Sequence, residues 1–170
     1  ILQIPAFLCR QTDLLTEAGG FAECAVNIKR GQFMPPWAME QAAEKVRAAG
    51  NRKILLTERG SCFGYADLVV DFRLLVIMRR LGYPVVFDAT HSVQAMSATH
   101  ISGGQPEFIP ALARAAVAVG IDGLFMEVHE NPAAAKSDAA TQFPLCELEA
   151  LLQRLVAMHV TLAEHLSEAL

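Results

Sequence analysis

The sequence predicts an α/β protein assembled from parallel βα units, as the last five units of a (β/α)8 barrel. Three observations lead there. Five apolar runs of five to seven residues recur along the 170 residues. Amphipathic stretches with helical spacing separate them. Charged and ligating residues gather where the runs end, the edge at which a (β/α)8 barrel builds its active site. A doubly wound sheet uses the same edge, so the pattern alone does not choose between the two. A closed barrel needs eight strands and typically about 250 residues. Five runs in 170 residues therefore predict residues 1–170 to be a single partial barrel domain that lacks the first three βα units.

The elements follow in order. Ile1–Phe7, Ala25–Lys29, Lys53–Glu58, Pro84–Asp88 and Gly123–Val128 are the five runs, and the last four are rich in β-branched, aromatic or long aliphatic residues. Runs of this kind suit strands buried on both faces, the parallel-sheet pattern. Between them, Pro36–Ala49 places Trp37, Ala42, Val46 and Ala49 on one side of a helix. Leu68–Leu81 and Phe108–Val119 behave similarly, and Leu145–Leu170 supplies a long terminal helix. Gly50, Gly82 and Gly120 each follow a helical run, where a residue without Cβ closes the last turn.

Composition narrows the function classes. Hydrophobic residues make up 53% and charged residues 19%, which excludes intrinsic disorder. No unbroken apolar run reaches the roughly 18 residues of a membrane span. A net charge of −4 without a long basic run gives no reason to expect a nucleic acid or membrane partner. Cys9, Cys24, Cys62 and Cys146 are widely spaced, a pattern that predicts reduced thiols in a cytoplasmic protein. The chain starts at Ile1 rather than Met, which leads to the expectation of a longer parent chain. Neither GxGxxG nor GxxxxGK occurs, so nucleotide binding by those motifs is unsupported.

Two constellations carry chemistry. His91 and Glu127 close the fourth and fifth runs, and Asp138 lies in the loop beyond. An imidazole with two carboxylates suits a divalent transition metal such as Zn, Mn or Fe; helix capping and pairing with Arg are the alternative. His129 shares the strand face of Glu127 as a further ligand or a loop histidine, while His100, His159 and His165 carry no signal. Lys29 and Arg59 end neighbouring runs and form the second constellation. Two cations there converge on an anion, with Arg offering a bidentate fork, or they form salt bridges with Glu58 or Asp88. Arg10 could join the same anion site.

Several segments then become recognisable: Gln3–Asp13, Val26–Lys29, Gly31–Phe33, Glu58–Gly60 with Phe63–Tyr65, Leu68–Asp71, Asp88–Gln94 and Ser137–Ala139. Together, and in this order, they resemble the 3-deoxy-D-manno-octulosonate 8-phosphate (KDO 8-phosphate) synthases of the metal-dependent class, over nearly the whole chain. The resemblance implies a (β/α)8 barrel transferase that condenses phosphoenolpyruvate with D-arabinose 5-phosphate and water for lipopolysaccharide precursor synthesis. It implies that Lys29 and Arg59 hold the phosphoenolpyruvate phosphate or carboxylate, that Gln3 and Ala6 line that pocket, and that Gln94 positions the aldose. His91, Glu127 and Asp138 match three metal ligands, with His91 and Asp138 as the expected catalytic residues, and the run Asp138–Gln142 fits the same class. The fourth ligand, a cysteine, belongs to the absent units, and Cys9 lies in a different strand. The resemblance also implies a homo-oligomer, a tetramer.

The segment Ala95–Phe108 departs from the family pattern, and Pro106 stands where a basic residue is usual. Two other readings stay open: an inactive barrel fragment with exposed sheet edges, and a related seven-carbon acid (DAHP-type) synthase. On the first expectation the 170-residue chain does not catalyse the condensation alone.

Overall fold

The computed structural model describes residues 1–64, 67–95 and 103–166. Five parallel strands form one sheet: β1 (Leu2–Ile4), β2 (Val26–Lys29), β3 (Ile54–Glu58), β4 (Val85–Asp88) and β5 (Gly123–Phe125). They lie side by side in chain order, each joined to the next through helical connections: α1 (Thr12–Gly19), α2 (Met39–Ala48), α3 (Arg73–Arg79) and α4 (Ile109–Val119). A terminal helix, α5, runs over Leu145–Leu166. This unreversed order is what repeated βα crossovers of one hand produce. Among the described residues β1 and β5 each pair on one side only, so the ring is not closed.

The pleat divides each strand between two environments. Val26 and Ile28, Ile54 and Leu56, and Val85 and Phe87 are all buried and build the apolar core. The alternate residues Asn27, Lys29, Thr57 and Asp88 are just as buried but polar. Registers of Lys29 opposite Thr57 and Asp88 opposite Phe125 place these on the other face. There the Thr57 hydroxyl donates to Asn27 Oδ1 at 2.5 Å, satisfying two groups that burial would otherwise penalise.

Several expected boundaries move, each for a local reason. The first run is a strand only over Leu2–Ile4, because Pro5 lacks an N–H and a 3-10 turn, Ala6–Leu8, follows it. Helix α1 has no counterpart in the sequence reading: its eight residues carry too short a period to register. Gly19 is what lets it dock, since a Cβ there would lie 2.7 Å from both the Ala49 Cβ and the Val46 carbonyl. Trp37 is 63% exposed rather than on the inner side with Ala42 and Val46. It sits in a 3-10 turn, Pro36–Ala38, ahead of α2, where the tighter winding shifts the angular position of its side chain.

The helix expected over Leu68–Leu81 begins only at Arg73, whose N–H is capped by Asp71 Oδ1. Leu68–Val69 instead pairs antiparallel with Ser61–Cys62. The fifth run also divides, and Val128–His129 leaves the main sheet to pair with Phe143–Pro144. Gly120, with φ 97°, closes α4 as anticipated by donating to the Ala116 and Val117 carbonyls. Tyr65, residues 96–102 with His100 and Ser102, and the end of the terminal run at 167–170 lie outside the described residues. Among the described residues no helix is long and apolar enough to cross a membrane, and none of the four cysteines is paired.

Candidate active site

Every strand of the sheet except β1 delivers a charged or ligating group to one rim. Lys29 is the last residue of β2, Arg59 follows β3, His91 follows β4 in the turn His91–Val93, and Glu127 follows β5. Parallel strands make this unavoidable, because all their C-terminal ends point the same way.

Lys29 forms an ion pair with Asp88, Nζ to Oδ2 at 2.6 Å, and stands 3.8 Å from the centre of the Phe125 ring. Of the two sequence readings, the salt bridge is the one this arrangement adopts for Lys29. Asp88 also receives the backbone N–H groups of Thr90 and His91 and lies 2.8 Å from His91 Nδ1. Burial pushes the Asp88 carboxyl pKa up, but His91 and Lys29 outweigh it and hold the value below the usual carboxylate range. The carboxylate fixes the imidazole so that Nε2 faces Glu127, at 3.5 Å from its Oε1.

The Arg59 environment is different. Glu58, one candidate partner, is taken by Arg30: two guanidinium bonds at 2.5 and 2.7 Å join them on the opposite face of the pleat. Arg59 Nη2 donates to Gln94 Oε1 and, at 3.4 Å, to the His91 carbonyl. Its Nη1 is buried and has no partner among the described residues. Burial lowers the Arg59 pKa against the raising influence of Asp88, Glu58 and Asp138, yet a guanidinium keeps its charge. A buried, charged N–H without an acceptor is costly, and an anion is the ligand that relieves it.

The third cluster brings together residues far apart in sequence. Ligand atoms of His91, Glu127 and Asp138 all lie within 4.8 Å of one another. Two ligands on a tetrahedral metal at about 2.1 Å stand about 3.4 Å apart, close to the His91–Glu127 separation of 3.5 Å. The Asp88–His91 contact supplies the carboxylate that a metal-ligating histidine commonly engages through its second nitrogen. Glu127 is steadied by Gln142, Nε2 to Oε2 at 2.6 Å, and its own N–H donates to the Thr90 hydroxyl. Asp138 adopts a left-handed φ of 51°, alone in this among the described non-glycine residues. Its backbone carbonyl accepts from Thr141 and Gln142, and its Oδ1 accepts from Gln94 at 2.6 Å.

Other anticipated residues stand apart from this cluster. Gln3 is exposed on β1, opposite Asn27. Ala6 is buried in the turn after β1. Arg10 is exposed and has no polar contact with Lys29 or Arg59; its carbonyl accepts from Lys45. His129 is outside the ligand trio, its Nδ1 accepting from the Asn131 N–H. The sequence reading named Asp88 only as a salt-bridge partner of the cations, and gave Thr90 and Gln142 no place in the site. Asp88 was legible in principle, since a carboxylate three residues before His91 reaches its ring across one tight turn.

A parallel sheet in chain order, with buried charge and a His-carboxylate trio at one rim, defines an α/β chain with an enzyme-like site. The chain belongs to the DAHP synthetase I family, whose profile matches residues 1–164. It is 60% identical over 164 residues to a protein of Cyanothece sp. named 2-dehydro-3-deoxyphosphooctonate aldolase, covering 96% of this chain and 60% of that one. Proteins of the same name in Trichlorobacter lovleyi and Desulfosudis oleivorans are 58% and 53% identical, covering 93% and 99% of this chain and 58% and 61% of theirs. The chain thus spans about 60% of the length of these curated relatives.

Proposed function

We propose that this chain carries the anion- and metal-binding rim of a KDO 8-phosphate synthase. Phosphoenolpyruvate condenses there with D-arabinose 5-phosphate and water, forming the eight-carbon sugar acid phosphate of lipopolysaccharide synthesis and releasing phosphate. The observation that carries the proposal is the buried Nη1 of Arg59, partnerless among the described residues, in a side chain linked through Gln94 to Asp138 of a metal-spaced trio. The reaction joins two anionic substrates, and fixed cations in a site shielded from water are what hold such a pair together.

In this reading Arg59 takes the phosphate or carboxylate of phosphoenolpyruvate, and Lys29 adds positive charge from β2. Gln3 and Ala6 line the same pocket from β1 and the turn after it, and Gln94 contacts the aldose. His91, Glu127 and Asp138 hold a divalent Zn, Fe or Mn ion, with His91 and Asp138 nearest the reacting atoms. A bound metal supplies Lewis acidity to an oxygen of the substrate or of water. Asp88 keeps His91 in the tautomer with Nε2 available. The relatives' names favour an eight-carbon product, whereas the family description also covers seven-carbon acid synthases.

Residues 1–170 form a partial barrel in this account, with the open edges of β1 and β5 as the places where further strands attach. The exposed rings of Phe33, Trp37 and Phe63 support a homo-oligomer, since such a patch is a usual mark of an interface; a tetramer is the form we propose. The unpaired cysteines fit a cytoplasmic setting.

Phosphate release from phosphoenolpyruvate tests the proposal, with the chain alone and with the chain joined to the first three βα units of the Cyanothece relative. The joined protein is expected to release phosphate only when arabinose 5-phosphate is present, and the chain alone to release none. Preference for a four-carbon aldose phosphate would replace the eight-carbon reading with the seven-carbon one. Release by the chain alone would contradict the partial-barrel reading.

A further inference from the structure

We infer that Gln94 is a positioning residue that couples an anion held by Arg59 to the metal ligand Asp138; the inference rests on the function proposed above. One amide bridges the two sites. Its Oε1 accepts from Arg59 Nη2, and its Nε2 donates to Asp138 Oδ1 at 2.6 Å. Each end fits only one way: turning the amide over would set its NH2 against guanidinium donors and its oxygen against a carboxylate. The chemistry at both ends therefore selects glutamine. A glutamate would place like charge against Asp138, and an apolar side chain would leave Asp138 without this donor.

The backbone around the bridge is built to hold it. Gln94 pairs directly with Gly104 in a short antiparallel ladder. Gly104 in turn lies against the turn that carries Asp138, where a Cβ would come 2.2 Å from Thr141 Cγ2 and 2.9 Å from the Ala140 carbonyl. Asp138 itself occupies a left-handed conformation that non-glycine residues rarely adopt. Three side chains, just after β3, in the ladder of Gln94 with Gly104 and in the 138–142 turn, must therefore be ordered together. The first ligand to bind, anion or metal, meets the ordering cost of Arg59, Gln94 and Asp138, and the second finds them already fixed. That is positive coupling, and it is reciprocal by linkage.

The test titrates Co2+ into the chain with and without saturating phosphoenolpyruvate, following Co2+ absorbance, for the wild type and Gln94→Met. In the wild type phosphoenolpyruvate should tighten Co2+ binding about fivefold or more, and Co2+ should tighten phosphoenolpyruvate binding by the same factor. In Gln94→Met both ligands should still bind, with the coupling factor reduced to the direct attraction between anion and cation that the two proteins share. Should Gln94→Met fail to fold, Gln94→Asn replaces it, an amide one methylene too short to reach both partners. Equal coupling in wild type and variant, or no coupling in a wild type that binds both ligands, would overturn the inference alone. A wild type that binds no Co2+, or no phosphoenolpyruvate, would overturn the proposed rim and this inference with it.

Discussion

The two faces of the sheet come from the same strands and behave in opposite ways. On the helix-facing side the charges are paired off: Arg30 spends its guanidinium on Glu58, the Gly31, Met34 and Gly60 carbonyls and the Ser61 hydroxyl. One residue away on each strand, Lys29 and Arg59 turn to the other face, where Lys29 pairs with Asp88 and Arg59 retains a buried donor with no acceptor among the described residues. Pleating alone separates Lys29 from Arg30 and Glu58 from Arg59. The Arg30–Glu58 pair ties the loops after β2 and β3 together, and the donor left open on Arg59 is the one we propose for an anion. Adjacent charges at a strand end are thus sent by parity to opposite faces, with different partners on each.

The sharpest way to break that contrast is to attack the paired side. Glu58→Leu leaves Arg30 buried without its carboxylate, a change that costs about 3–5 kcal/mol in comparable pairs. Urea unfolding should show it, and Arg30→Met added to Glu58→Leu should recover much of the loss. Phe87→Ala, in the apolar core of the same face, should cost a similar 3–5 kcal/mol or so. Loss of metal binding without loss of stability in either variant would mean that the faces are not separate.

On the open side the expected effect falls on binding. Asp88→Asn removes the partner of both Lys29 and His91, and Co2+ affinity should drop by about 10–100-fold, the usual consequence of losing a carboxylate behind a ligating histidine. Smaller again is Gly104→Ala, whose Cβ collides with Thr141. Overpacking of this kind costs about 1–3 kcal/mol, and thermal unfolding with and without Co2+ should place the strain at the Asp138 turn. Arg47→Ala serves as the control. Its pairing with Glu44 is exposed, and the unfolding midpoint should not move.

The contrast also explains what sequence can and cannot reveal. The βα order and the ends of the three central strands were legible from composition and position, and so was the grouping of His91, Glu127 and Asp138, whose match to metal ligands came from the family resemblance. The partnership of Arg30 with Glu58, and the consequent freedom of Arg59, was not, because it depends on which face each of two adjacent charges takes. Asp88 was foreseen as a salt-bridge partner of Lys29, but its contact with His91 was not, because it depends on the turn that brings His91 back over the strand end. Helix α1 is too short for its periodicity to show, and Trp37 was misplaced by assuming α-helical winding through a 3-10 turn.

We propose that Arg59 holds an anion with the guanidinium nitrogen left unpaired among the described residues. Calorimetric titration of phosphoenolpyruvate into the wild type and into Arg59→Met tests it most directly, with the unfolding midpoints of both proteins measured alongside. Truncating one side of a buried charged contact costs about 2–5 kcal/mol, so the variant should bind phosphoenolpyruvate at least about tenfold more weakly while remaining folded. Equal affinity in the two folded proteins would contradict the account.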